Sequence, residues 1–211
     1  MATYDFKKEF KDLYLPKPIP MLIQVPEMTF IAVDGEGDPN TAKAYAEALE
    51  ILYGLCYAIK MSKMSGQTPK GYFDYVVPPL EGLWSLPGYV FDGKPIPNKD
   101  QFRWTSLIRQ PDYVTEEVFQ SVKETLKKKK PDLDASKAHL ITFEEGLCAQ
   151  IMHPGSYDDE PATIAKLNAF IKESGHKPDF SDIRRHHEIY LGDPRKTAPE
   201  NLKTVIRHPI A

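Results

Sequence analysis

The sequence predicts an α+β domain made of a pseudo-twofold pair of strand–helix–strand–strand modules, and a long internal repeat is the main reason. Phe30-Ile31-Ala32-Val33 runs into Gly35, Gly37 and Asp38-Pro39, then a helical pattern; Leu147-Cys148-Ala149-Gln150-Ile151 runs into Gly155, Tyr157 and Asp158-Asp159-Glu160-Pro161, then another. Farther along, Ser106-Leu107-Ile108-Arg109-Gln110-Pro111 is echoed by Thr204-Val205-Ile206-Arg207-His208-Pro209. Two such units are expected to join into one antiparallel-rich sheet with both helices on one face. The opposite face is then left concave, as a groove that a ligand can occupy. Neither half buries much core alone, so residues 1–211 are read as a single domain. An amino-terminal arm (1–20) precedes a first module (21–130) and a second (131–211).

The elements follow in order. Residues 1–20 end in Leu15-Pro16-Lys17-Pro18-Ile19-Pro20, and proline at this density disfavours helix and central strand, which predicts an arm on the surface. A strand spans about Met28 to Val33. Tyr45, Leu49, Leu52, Cys56 and Ile59 then recur at helical spacing, with Asn40 or Thr41 available as cap. Gly71 to Val77 is rich in aromatic and β-branched residues and reads as a strand stopped by Pro78-Pro79. Leu80 to Asp100 reads as a long covering loop that carries Trp84. Phe102 to Ile108 is the next strand, and Thr115 caps a helix with Val118, Phe119, Val122 and Leu126 inward. Lys127 to Lys130 close that helix, where cations suit the negative end of its dipole. In the second module a strand or strand pair spans Ala138 to Met152, with a bulge or bend at Gly146. Pro161 opens a helix with Ile164, Leu167 and Ile171 inward, and Gly175 stops it. His186 to Leu191 and Lys203 to His208 are the last strands.

Composition narrows the function. Of the 211 residues 41% are hydrophobic and 27% charged, with a net charge of −3, so no general attraction to nucleic acid is expected. No apolar run has the length of a membrane span, and the charged amino terminus is unlike a signal peptide, which points to the cytoplasm. Cys56 and Cys148 sit in apolar runs and read as buried thiols. Ligand spacing for a metal is lacking, as are the glycine motifs of nucleotide sites and the GxSxG of serine hydrolases; neither metal nor cofactor is expected.

Strand alternation then sorts the penultimate strand: His187, Ile189 and Leu191 on one face, His186, Glu188 and Tyr190 on the other. The apolar set is expected against the helices and the polar set on the open face. A mid-strand glutamate among aromatics is costly if dry and unpartnered, so Glu188 is solvated, held for a ligand, or paired with Arg184, Arg185, Arg207 or another base. Asp74 takes the related position in the first module. Tyr72, Trp84, Trp104, Tyr157 and Tyr190 are candidate walls for a flat or cationic molecule, with His186 near Glu188.

These residues carry a family resemblance. Met152-His153-Pro154-Gly155-Ser156-Tyr157-Asp158 resembles the H-x-G-x-Y turn of GyrI-like proteins, and His187-Glu188-Ile189-Tyr190-Leu191 their E-x-Y-hydrophobic strand. Tyr75 to Trp84 is similar to a segment of the stand-alone bacterial members. The resemblance, which covers the chain from about Pro20, implies a groove for hydrophobic, aromatic or cationic small molecules with a glutamate at its floor, here Glu188. Relatives fused to helix-turn-helix domains sense drugs; residues 1–20 are too short for such a domain. Some stand-alone relatives are implied to hydrolyse the cyclopropane of DNA-alkylating natural products.

Two readings of the site follow, both without direct nucleic-acid or membrane partners and with a monomer expected. In the first, Glu188 and the aromatic residues bind a small molecule for xenobiotic or toxin protection. In the second, Glu188 activates water, Tyr190 or Tyr157 donates to the oxygen that gathers charge, and Trp84 and Trp104 clamp the substrate. A protein-interaction groove is a third class, disfavoured because it would leave apolar area exposed.

Overall fold

The computed structural model describes residues 3–66, 68–96 and 98–211, the side chain of Ser65 excepted. Residues 1 and 2 of the arm and residue 97 of the 80–100 segment therefore lie outside it. Six strands form a closed antiparallel barrel: β1 (Met21–Glu36), β2 (Leu80–Ser85), β3 (Arg103–Arg109), β4 (Ala138–Pro154), β5 (His186–Tyr190) and β6 (Lys203–Pro209). Their order around the barrel is β1-β3-β2-β5-β6-β4. Among the described residues five α-helices accompany it: α1 (Phe6–Glu9), α2 (Lys11–Tyr14), α3 (Lys43–Lys60), α4 (Glu116–Lys129) and α5 (Glu160–Glu173). Among the described residues no helix is long and apolar enough to cross a membrane.

Closure corrects the expected open sheet with a free concave face. The cause is the length of β1 and β4, 16 and 17 residues, each of which pairs along two neighbours. β1 runs antiparallel to β4 from Met21↔Gln150 to Val33↔Ala138, while its second half also pairs with β3. β4 continues past β1 to pair with β6. Strands that change partner along their length curl the sheet, and the β2–β5 ladder, Leu80↔Tyr190 to Trp84↔His186, completes the ring.

That ladder lies where the sequence suggested a loop. Leu80 to Trp84 are all buried, so β2 is covered on both faces and does not alternate. Conversely, 71–77 is not a strand. Its one bridge, Tyr75 with Tyr4, joins it to the amino-terminal arm, and its rings pack there: Tyr4 on Phe73 and Phe6 on Tyr75. The arm itself contains two short helical turns and buries Phe6, Leu13 and Tyr14, so it is more than a surface strap.

The long helices form as their patterns require. Thr115 Oγ1 accepts from the Val118 amide to cap α4, whose buried residues are Phe119, Val122 and Leu126. Pro161 stands in the first turn of α5, which buries Ile164, Leu167 and Ile171. α3 buries Ile51, Leu52, Leu55, Cys56 and Ile59; it starts after Ala42 without a side-chain cap, the chain having turned on Asp38. Both cysteines are free and buried, and burial pushes each thiol up to about 12.

Candidate functional site

Alternation along β5 holds: His186, Glu188 and Tyr190 share a face. That face, however, lies beneath the helices, which reverses the expected assignment. Glu188 Oε1 is 2.8 Å from His186 Nε2, and Oε2 accepts from the Tyr190 hydroxyl at 2.6 Å. Trp84 Nε1 donates to the Tyr190 oxygen at 2.9 Å, so indole, phenol and carboxylate form one directed series. Gly82 stands directly across the ladder from Glu188, leaving room for the Trp84 and Tyr190 rings.

The cover comes from three elements. Tyr45 of α3 packs 5.9 Å from the Trp84 ring and edge-on to Trp104. Tyr157, in the single 3-10 turn before α5, meets Tyr190 edge-on at 5.7 Å. Glu160, the first residue of α5, is buried with its Oε1 unpartnered and interacts with Glu188. Glu188 itself keeps 14% of its side chain exposed.

The two acids divide one charge. Burial pushes Glu188 up, but the hydrogen bonds from His186 and Tyr190, with the charge of His186, hold it below the usual carboxylate range. Glu160 is driven well above that range, first by burial and then by the charge of Glu188. Glu188 is therefore the anion and Glu160 the proton holder. The hydroxyls around them stay protonated: burial raises Tyr157 to about 12 and pushes Tyr190 and Tyr45 up as well.

Of the residues singled out in the sequence, the structure thus brings together Glu188, Tyr190, Tyr157, His186 and Trp84. Trp104 lies beside Trp84 across the β2–β3 ladder but is 1% exposed and packs tightly over Gly35, so it supports the wall from within the core. Tyr72 and Asp74 do not join the site. With no strand over 71–77, Tyr72 donates to the Lys60 carbonyl at the end of α3, and Asp74 pairs on the surface with Lys63 at 2.8 Å and Lys60 at 3.7 Å. Glu160 and Tyr45 were missed: Glu160 read as a helix-start acid, Tyr45 as a core position.

None of Arg184, Arg185 and Arg207, the considered partners of Glu188, pairs with it in the structure. Arg207 belongs to a second cluster, on the other face of β5, inside the barrel. There the fully buried His187 bridges Glu145 at 3.0 Å and Glu81 at 2.9 Å, and Arg207 joins Glu145 at 2.9 Å. Arg207 also donates to the Leu13 carbonyl, Gln150 to the Asp12 carbonyl, and Tyr14 to Glu81, so the arm is tied to the barrel interior. Shallow surface depressions elsewhere, near Lys130–Leu133 and near Pro16–Pro18, contain none of these groups. Among the described residues no three His, Cys, Asp or Glu side chains are grouped to hold a metal ion.

Solved structures of other proteins share this fold. The chain is similar over 99% of its length to the whole of a hydrolase from Listeria innocua, with 47% identity and a TM-score of 0.90. It is equally similar to an uncharacterized conserved protein of that organism, with 48% identity, a TM-score of 0.93 and the same coverage (99% and 100%). The EcmrR C-terminal domain shares the fold at 11% identity, with a TM-score of 0.56 over 91% of this chain and 96% of that one. No match emerges among curated proteins. A family model for the GyrI-like small molecule binding domain matches residues 20–211, and the chain belongs to that family.

Proposed function

We propose that this protein is a hydrolase for flat, hydrophobic aromatic small molecules, and that its substrates include DNA-alkylating compounds with an activated cyclopropane. The observation that carries this reading is the pairing of two buried carboxyl groups whose surroundings push them apart, Glu188 held below the usual carboxylate range by His186 and Tyr190 and Glu160 driven above it by burial and by Glu188. Adding water to a strained ring needs a base for the water and an acid for the oxygen that gathers charge. Glu188 takes a proton from water as the new C–O bond forms. The ring C–C bond breaks toward the conjugated carbonyl, whose oxygen receives a proton from Glu160 or Tyr157. The proton taken up by Glu188 then returns to the group that gave one up, so the net change is the addition of one water, and it removes the alkylating electrophile. Tyr45, Tyr157 and Trp84 supply the aromatic surround. The similarity to structures described as hydrolases supports the same reading.

A second reading, a receptor that binds cationic aromatics without turnover, is favoured by the carboxylate of Glu188 beneath tyrosine rings. In either reading we take 21–130 and 131–211 as the two modules, which is supported by the contiguous order β1-β3-β2 and β5-β6-β4.

Incubation with a duocarmycin-like alkylator, followed by mass spectrometry, tests the hydrolase. The ring-opened water adduct is expected from the wild type, with Glu188→Gln and Glu160→Gln each slower by about 10²–10⁴-fold. Absence of turnover, together with cationic-dye binding that weakens in Glu188→Gln, would leave the receptor.

A further inference from the structure

Glu188 is one end of a hydrogen-bond chain that runs away from the site into the packing of β6 against α5. His186 Nε2 meets Glu188 Oε1 at 2.8 Å, and His186 Nδ1 meets His208 Nε2 at 2.8 Å. His208 Nδ1 lies 3.2 Å from Asn168 Oδ1, and Asn168 Nδ2 donates to the Phe91 carbonyl at 2.7 Å. Both histidines are buried, and His186 stacks flat on the Phe91 ring with centroids 4.0 Å apart.

The far end sets the direction of every bond. A carbonyl oxygen only accepts, so Asn168 turns its amide nitrogen to Phe91 and its oxygen to His208. His208 must then carry its proton on Nδ1. Burial holds His208 well below the usual imidazole range, so it is neutral and its Nε2 is an acceptor. His186 Nδ1 therefore donates, and the one nitrogen left faces a carboxylate. The Phe91 face is a surface that favours a cation.

We propose that Asn168 and His208 are positioning residues that keep His186 as an imidazolium against Glu188, so that the floor of the site is an ion pair without net charge and selects neutral over cationic aromatic ligands. The other groups facing Glu188 add no charge. Tyr190 on its own strand, Tyr45 of α3, and Tyr157 and Glu160 at the start of α5 are all protonated. The charged His187 points to the opposite face of β5, into the barrel. This assignment deepens the hydrolase reading, because an activated cyclopropane substrate is neutral; the placement of the protons does not depend on turnover.

Nitrogen NMR of the intact protein labelled on histidine tests it at neutral pH. His208 is expected to show a protonated Nδ1 and a bare Nε2, and His186 two protonated nitrogens. In Asn168→Leu the His186 signal is expected to lose one proton. A matched probe pair, acridine and N-methylacridinium at pH 8, supplies a second readout: the wild type is expected to prefer acridine, and Asn168→Leu to shift the ratio toward the cation by about tenfold. A bare nitrogen on wild-type His186, or tighter wild-type binding of the cation, would overturn the proposal. If Asn168→Leu fails to fold, the wild-type spectrum and probe ratio decide. Imidazolium signals in a protein that leaves the alkylator intact would retain this inference and remove only the hydrolase.

Discussion

Gly82 faces Glu188 across the β2–β5 ladder, and a Cβ at position 82 would stand 2.5 Å from Trp84 Nε1 and 3.1 Å from the Tyr190 hydroxyl. The absent side chain is what lets indole and phenol meet over the strand. Gly82→Ala is expected to displace one ring and break the series that ends on Glu188. The cost should be about 1–3 kcal/mol in urea unfolding, with a larger proportional loss of ligand binding or turnover. A variant with unchanged tryptophan fluorescence and function would contradict this packing.

Gly35 makes the same kind of room deeper in the core. A Cβ there would fall 2.2 Å from the Trp104 ring, a side chain with almost no exposure. Gly35→Ala is expected to lower stability by about 1–3 kcal/mol or more, read from the denaturation midpoint.

Arg207 joins His187 in keeping Glu145 ionised inside the barrel. Burial would raise Glu145, but the charges of His187 and Arg207 pull it down to about 2. Arg207→Met leaves that carboxylate half-compensated and frees the Leu13 carbonyl as well. A loss of about 3–5 kcal/mol is expected, with earlier proteolysis of the amino-terminal arm.

His187 gives stability a pH dependence of definite sign. Burial would lower its pKa; the charge of Glu145 and the hydrogen bonds to Glu145 and Glu81 override this and raise it to about 9. The folded state therefore binds this proton more tightly than the unfolded one, whose value is 6.5. The resulting stabilisation is complete below about pH 6.5 and is lost as pH rises through about 9, on the order of 3 kcal/mol in all. Unfolding curves between pH 6 and 10 should show this decline, and His187→Gln should flatten it.

Periodicity made much of this fold legible. α4 and α5 could be read because Thr115 and Pro161 mark their starts and their apolar residues keep helical spacing. β5 and β6 were equally plain, and alternation alone grouped His186, Glu188 and Tyr190. β2 was hidden because Pro78-Pro79 precedes it and both its faces are buried, so nothing alternates. The aromatic run 71–77 has strand propensity, yet its rings are taken up by Tyr4 and Phe6 of the arm, contacts no local pattern reveals. Glu160 looked like an ordinary helix-start acid, since it stands in the first turn of α5. Asn168 left a clearer trace: a polar residue at helical spacing between Ile164 and Ile171, on the face that packs inward.

Because the ring closes through β2 and β5, the strands that carry the site, β2, β3, β5 and β6, each have a neighbour on both sides and offer no free row of amides and carbonyls. An extended peptide therefore cannot add itself to the sheet beside Glu188. A ligand there must be read by side chains, the rings and acids of the helix-covered face.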